Sequence, residues 1–140
     1  MTATIKVEIV SAEQELWSGE GTMVYAPALM GEVGIAPRHS QMLSPLKAGD
    51  VRVEKEDGSE EFFYVSGGLM EVQPDMVTIL SDTAMRAEDL DESRALEAQR
   101  RAEQAMKDNS NEMEFAKARA ELAQAAAQLR AIQKLRGKKN

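Results

Sequence analysis

Glu61-Phe62-Phe63-Tyr64-Val65-Ser66-Gly67-Gly68-Leu69-Met70-Glu71-Val72-Gln73-Pro74-Asp75-Met76-Val77-Thr78-Ile79-Leu80 is the stretch that settles the fold class of the first half of the chain. It holds three short runs rich in β-branched and aromatic residues, split first by Gly67-Gly68 and then by Gln73-Pro74-Asp75. Immediately upstream, Val51 and Val53 alternate with Arg52 and Glu54, and Asp57-Gly58 supplies a hairpin turn before the chain returns at Glu61. Near the start, Ile5, Val7 and Ile9 alternate with Lys6 and Glu8, the pattern of a half-buried strand. Short strands with frequent turn signals predict an antiparallel β-sandwich over residues 1–86.

Beyond that boundary the period changes. Asp89 or Asp91 can cap a helix running through Leu96 and Ala102 to about Met106, with Ala95, Ala98, Ala102 and Ala105 along one face. Lys107-Asp108-Asn109-Ser110-Asn111 is a polar break, and Glu112 and Glu114 suit the positive end of a following helix. On it Phe115, Ala118, Leu122, Ala125, Leu129 and Ile132 recur every three or four residues, an apolar seam. Residues 87–140 therefore read as an antiparallel helical hairpin. Its seam is largely alanine, so it buries little area against the backbone entropy of ordering it, and a further partner surface is expected.

Charge divides at the same place. The 140 residues carry a formal −7, but residues 1–86 hold 6 basic and 14 acidic side chains, a net −8, and the remainder holds 11 and 10, a net +1. All four prolines and all nine glycines except Gly137 fall in the first part. The absence of cysteine removes disulfides and thiolate chemistry, and a single histidine removes a multi-histidine metal site. Few aromatics and net acidity argue against nucleic acid. The longest stretch without a charged side chain, Gly21 to Gly31, is far short of the ~20 residues of a bilayer span, and the first residues do not read as a signal peptide. The expectation is a soluble cytosolic protein with no direct membrane insertion.

No catalytic constellation stands out. Ser66-Gly67-Gly68 sits between two strands and lacks both the nucleophile-elbow and phosphate-loop patterns, so it reads as a turn. His39, in a Pro37-Arg38-His39 loop, has no second histidine or cysteine to work with. Glu60 and Glu61 adjoin on a strand and point to opposite faces. More distinctive is the basic end of the chain: Arg130, Lys134, Arg136, Lys138 and Lys139 follow the last acid, Glu121. This is either a solvated helix end complementing the dipole or a hook for an acidic protein surface.

The block Gly31-Glu32-Val33-Gly34-Ile35-Ala36-Pro37-Arg38-His39, followed by Leu43 and Leu46-Lys47-Ala48-Gly49, resembles the first signature of the epsilon-subunit family of bacterial rotary (F-type) ATP synthases. Phe63-Tyr64-Val65-Ser66-Gly67-Gly68-Leu69-Met70-Glu71-Val72-Gln73-Pro74 and Val77 to Ala84 are similar to its second, and Leu90-Asp91-Glu92-Ser93-Arg94-Ala95 to its [IL]-D-x-x-R-A motif. The likeness runs the length of the chain. It implies a β-sandwich of about ten strands followed by a helical hairpin. It also implies a non-catalytic rotor subunit, held peripherally on the cytoplasmic side of the inner membrane and partnered by gamma, the c-ring and, when inhibiting, the alpha/beta catalytic head.

By the same resemblance, Gly31 and Glu32 face the c-ring, and His39 and Leu43 face gamma. The hairpin would fold onto the sandwich or extend into the catalytic head to block ATP hydrolysis, with Arg130, Lys134 and Arg136 as its contacts there. Asp91 and Arg94 would form a weak ATP site. Gln124 and Gln128 stand where the ATP-binding members carry arginines, which removes charge-assisted bonds to a triphosphate. No cofactor is required on this reading. A free-standing nucleotide sensor or adaptor of the same fold is the rival.

Overall fold

The computed structural model describes residues 3–108 and 111–139. Asn109 and Ser110, in the expected polar break, and the side chains of Lys138 and Lys139 lie outside the described residues.

Ten strands appear among the described residues: β1 Ile5–Ser11, β2 Glu15–Gly21, β3 Met23–Ala28, β4 Gly31–Ile35, β5 Met42–Leu46, β6 Gly49–Glu54, β7 Glu60–Val65, β8 Gly68–Gln73, β9 Met76–Ser81 and β10 Ala84–Arg86. They hydrogen-bond in the order β10-β7-β6-β3-β5-β8-β9-β1-β2, with β4 paired to β3. The two halves are joined at a single register pair, Ala28 with Leu46, so the sheet closes into a sandwich. Inward side chains of alternating strands fill it: Val7 and Ile9, Val24, Val51 and Val53, Phe63 and Val65, Met70 and Val72, Val77 and Ile79.

One pairing departs from the antiparallel expectation. β1 and β9 run parallel, Lys6 opposite Met76 through Ser11 opposite Ser81. Parallel neighbours need a long connection, and these two are separated by most of the sandwich, so periodicity within either strand could not reveal the direction.

The turns form as their residues dictate. Gly58, at φ 87°, closes the β6–β7 loop with its N–H donating to the Lys55 carbonyl, and Asp57 Oδ1 accepts from the Ser59 N–H at 2.9 Å. The bonds from Ser59 hold the Asp57 carboxyl below its ordinary value. Gly68, at φ 132°, has no alternative: a Cβ there would lie 1.9 Å from the Leu80 carbonyl oxygen. Ser66 belongs to the same turn, its hydroxyl accepting from the Thr83 N–H at 3.1 Å.

A 3₁₀ turn, Ala87–Asp89, leads to α1, Glu92–Asp108, and α2 spans Glu112–Lys139. Between the two cappers left open by the sequence, the structure selects Asp91, whose Oδ1 accepts from the Arg94 N–H at 3.2 Å. Asn111 caps α2 through the Met113 N–H at 2.8 Å. The seam between the helices is alanine at its centre, Ala95 and Ala102 against Ala118, Ala125 and Ile132, all buried. Phe115, read as part of the seam, is exposed in the first turn of α2, and the buried line begins at Ala118. α1 also runs two residues past Met106.

Candidate functional site

The surface that the hairpin covers explains the unbroken apolar run of β7. Phe63 and Val65 point into the sandwich, while Phe62 and Tyr64 point outward and are nonetheless buried, because Ala127 and Ala131 of α2, with Ala87, lie over them. α2 thus presents two alanine faces, one to α1 and one to the sheet. Ala48, Leu90 and Leu135 edge the second contact. Burial pushes the Tyr64 phenol above its ordinary value, and a side-chain hydrogen bond with Gln128 works in the opposite direction.

The contact ends in charge. Asp50 follows Gly49 at the start of β6, directly opposite Tyr64 in the ladder, and is 8% exposed. Lys134 Nζ donates to Asp50 Oδ2 at 2.8 Å and stands 3.9 Å from Glu32 Oε2. Two residues along, Arg136 pairs with Glu92 at the start of α1. Arg130 is exposed. Behind Lys134, Arg52 donates to Glu60 Oε2 at 2.9 Å and lies over the Tyr25 ring, which keeps the charges around this corner of the sandwich ordered.

The structure therefore joins two residues that the sequence reading assigned to different partners. Glu32, expected at the c-ring, and Lys134, expected at the catalytic head, meet at one ammonium group. Glu32 follows the β3–β4 tip, where Gly31 takes φ 138° and Met30 is fully exposed beside a largely exposed Leu29. His39 and Leu43 lie elsewhere. The His39 Nδ1 is 2.8 Å from the Ser40 carbonyl, in a loop tied down by the Arg38 N–H donating to the Pro74 carbonyl at 2.8 Å. Leu43, 65% exposed, stands on the outer face of β5 beside β8 and β9, where Leu69 and Leu80 are also exposed.

Asp91 and Arg94 sit at the exposed start of α1, 3.8 Å apart, and the Asp91 carboxylate is engaged as the helix cap. Gln124 is exposed on α2, while Gln128 is engaged by Tyr64. Among the described residues no cluster of three acidic or histidine side chains is placed to hold a metal ion, and no helix is long and apolar enough to cross a membrane.

Asp50, Phe62, Tyr64, Gln128, Ala127 and Ala131 were missed by sequence reasoning. Four consecutive apolar residues in β7, beside a β6 in which Val51 and Val53 alternate with charged residues, were the available signal for a strand covered on both faces.

Two family models divide the chain between them: the β-sandwich domain of the ATP synthase delta/epsilon chain matches residues 4–87, and its long α-helix domain matches residues 88–133. The ATP synthase epsilon chain of Nitrosococcus oceani is 56% identical over 138 residues, covering 99% of each chain. That of Thioalkalivibrio sulfidiphilus is 57% identical over 137 residues, covering 97% of each. Among solved structures, a chain of the Euglena gracilis mitochondrial ATP synthase superposes with a TM-score of 0.83 at 20% identity, covering 93% of this chain and 82% of that one, a likeness of fold. With sandwich and hairpin each matched in order and relatives this similar end to end, the chain belongs to the ATP synthase delta/epsilon family, and within it to the epsilon chains.

Proposed function

We propose that the chain is a non-catalytic subunit of the central rotor that links the c-ring to gamma and restrains ATP hydrolysis through its hairpin. The observation that carries this reading is the way the hairpin rests on the sandwich. Its sheet-facing contact is made by two alanines at the centre, with Gln128, Lys134 and one large apolar side chain, Leu135, at the edge. Small side chains are shed from a surface at little cost in buried area, so the docked and extended forms of such an element can differ by only a few kcal/mol. In the docked form Lys134 and Arg136 are bonded to this chain's own acids and are withheld from any other acidic surface.

The exposed apolar residues Leu43, Leu69 and Leu80 on one sheet face suit a lasting contact with gamma, and the tip at Gly31 and Glu32 suits the polar loops of the c-ring. Complex formation would hold the subunit peripherally at the cytoplasmic side of the bacterial inner membrane. The test is reconstitution. Added to complexes stripped of their own epsilon chain, the protein is expected to co-purify with gamma and lower ATP hydrolysis. A Leu43→Asp variant is expected to lose retention. Retention without any effect on hydrolysis would leave the rotor role standing and overturn the inhibitory one.

A further inference from the structure

We propose that Lys134 is a charge latch for the hairpin, anchored by Asp50 and shared with Glu32, so that the loop tip at Glu32 and the inhibitory end of α2 are coupled through one ammonium group. The proposal rests on the reading of the hairpin as a movable element. Three observations support it. Asp50 is buried because the hairpin covers it, and its carboxylate meets the lysine at 2.8 Å, the length of a charge-assisted bond. The centre of the α2 footprint is alanine on Phe62 and Tyr64, with Leu135 at its edge, which fixes contact area but little register, whereas a lysine seated on a buried carboxylate fixes the position of α2 along the sheet. Glu32, 3.9 Å from the same ammonium, is half-exposed and lies one residue beyond the turn glycine of the tip.

The arrangement has a directional consequence. Whatever cationic group engages Glu32 from outside removes one of the two acceptors of Lys134, so engaging the tip loosens the end of α2. Conversely, a latched hairpin neutralises Glu32. The same lysine serves opposite states: it holds the hairpin down through Asp50 and, once released, is available to an acidic surface of another chain. Charge reversal at Lys134 therefore confounds two effects, whereas Asp50 separates them.

The experiment is amide hydrogen exchange on the isolated full-length chain, following residues 125–137 of α2 and, as an internal reference, β1 and β9. Asp50→Asn is expected to speed exchange in the end of α2 by about 10- to 100-fold, the loss of a hydrogen bond to a charged group. Glu32→Gln is expected to speed it about 2- to 5-fold, as for a partly exposed pair. Lys134→Met reaches the same result without touching the sandwich, and the Asp50→Asn/Lys134→Met double variant is expected to match the faster single variant. Additive effects in the double variant, or unchanged exchange in Lys134→Met, would overturn the latch. Unchanged exchange in Glu32→Gln would overturn the shared arm. Hydrolysis assays on reconstituted complexes stand apart: Asp50→Asn with fast exchange but no change in inhibition counts against the inhibitory reading and leaves the latch intact.

Discussion

Replacing Ala131 by leucine tests whether α2 is seated on the sheet through its alanine face. Ala131 is fully buried, packed with Ala127 on Phe62 and Tyr64. A leucine there must place additional carbons where two rings already occupy the space, and such overpacking costs about 1–3 kcal/mol. What holds the helix down is of similar size: covering Phe62 and Tyr64 contributes at most ~1.5–3 kcal/mol for each ring. At about 1.4 kcal/mol per decade, docking should weaken roughly 5- to 140-fold. Trp17, the sole tryptophan, lies 5.5 Å from Phe63 within the sandwich and reports that domain alone, while far-ultraviolet circular dichroism and exchange of α2 amides report the hairpin. The expected result is faster α2 exchange and an earlier helical transition, with the Trp17 transition unmoved. Ala123→Leu, on the exposed side of α2, is the control and should leave both unchanged. Equal losses at both probes, or unchanged α2 exchange in Ala131→Leu, would refute the reasoning.

Gly68→Ala should destabilise the sandwich by more than about 3 kcal/mol, since the new methyl meets a backbone oxygen at a positive φ; denaturant unfolding followed at Trp17 measures it. Asp91→Ala removes the α1 cap and should cost about 1 kcal/mol of helix stability, read by thermal circular dichroism. Submillimolar ATP should leave α2 exchange in the wild type unchanged, and nucleotide-dependent protection would argue for a site at Asp91 and Arg94. Tyr64 should ionise above the ordinary phenol range in a Tyr25→Phe background, read at 295 nm, because the covered phenol favours its neutral form. Once uncovered it ionises near its usual value of about 10, so this contribution to docking is complete below that pH and is lost as pH rises through the raised value.

Much of the architecture was legible because the strands of the sandwich carry their own instructions. Ile5-Val7-Ile9 and Val51-Val53 alternate, and Gly58 and Gly68 mark turns that no other residue could make as easily. The parallel pairing of β1 and β9 was not legible, since direction is a property of topology and not of either strand. Among candidate site residues, Glu32 was named by resemblance and Lys134 by the basic run at the chain end, yet their meeting was not foreseen, because 102 positions of sequence separate them. The docking face of α2 was hidden for a plainer reason. Helical periodicity is read from large apolar residues, and Ala127 and Ala131 are too small to stand out among the other alanines of Ala125-Ala126-Ala127 and beyond. The matching signal lay in the other domain, in Phe62 and Tyr64.

That asymmetry bears on how docking is controlled. The sandwich supplies the rings and the hairpin supplies mainly methyl groups, with Leu135 at the edge, so little of the specificity comes from shape, and the charges at the end of α2 must supply most of it. A sandwich at −8 attracts the basic end of the hairpin at long range, and Asp50 and Glu32 convert that attraction into a seat. Long-range attraction is screened over about 10 Å at 0.1 M salt, whereas a half-buried pair in contact is screened much less. Raising salt from about 0.05 to 0.5 M should therefore speed exchange at the end of α2 by a few-fold in the wild type, well short of the effect of Asp50→Asn. In Lys134→Met the salt effect should shrink, since the best-placed charge is gone. A salt effect of equal size in both proteins would mean that the diffuse charge of the two domains governs docking, and that Lys134 has no special part in it.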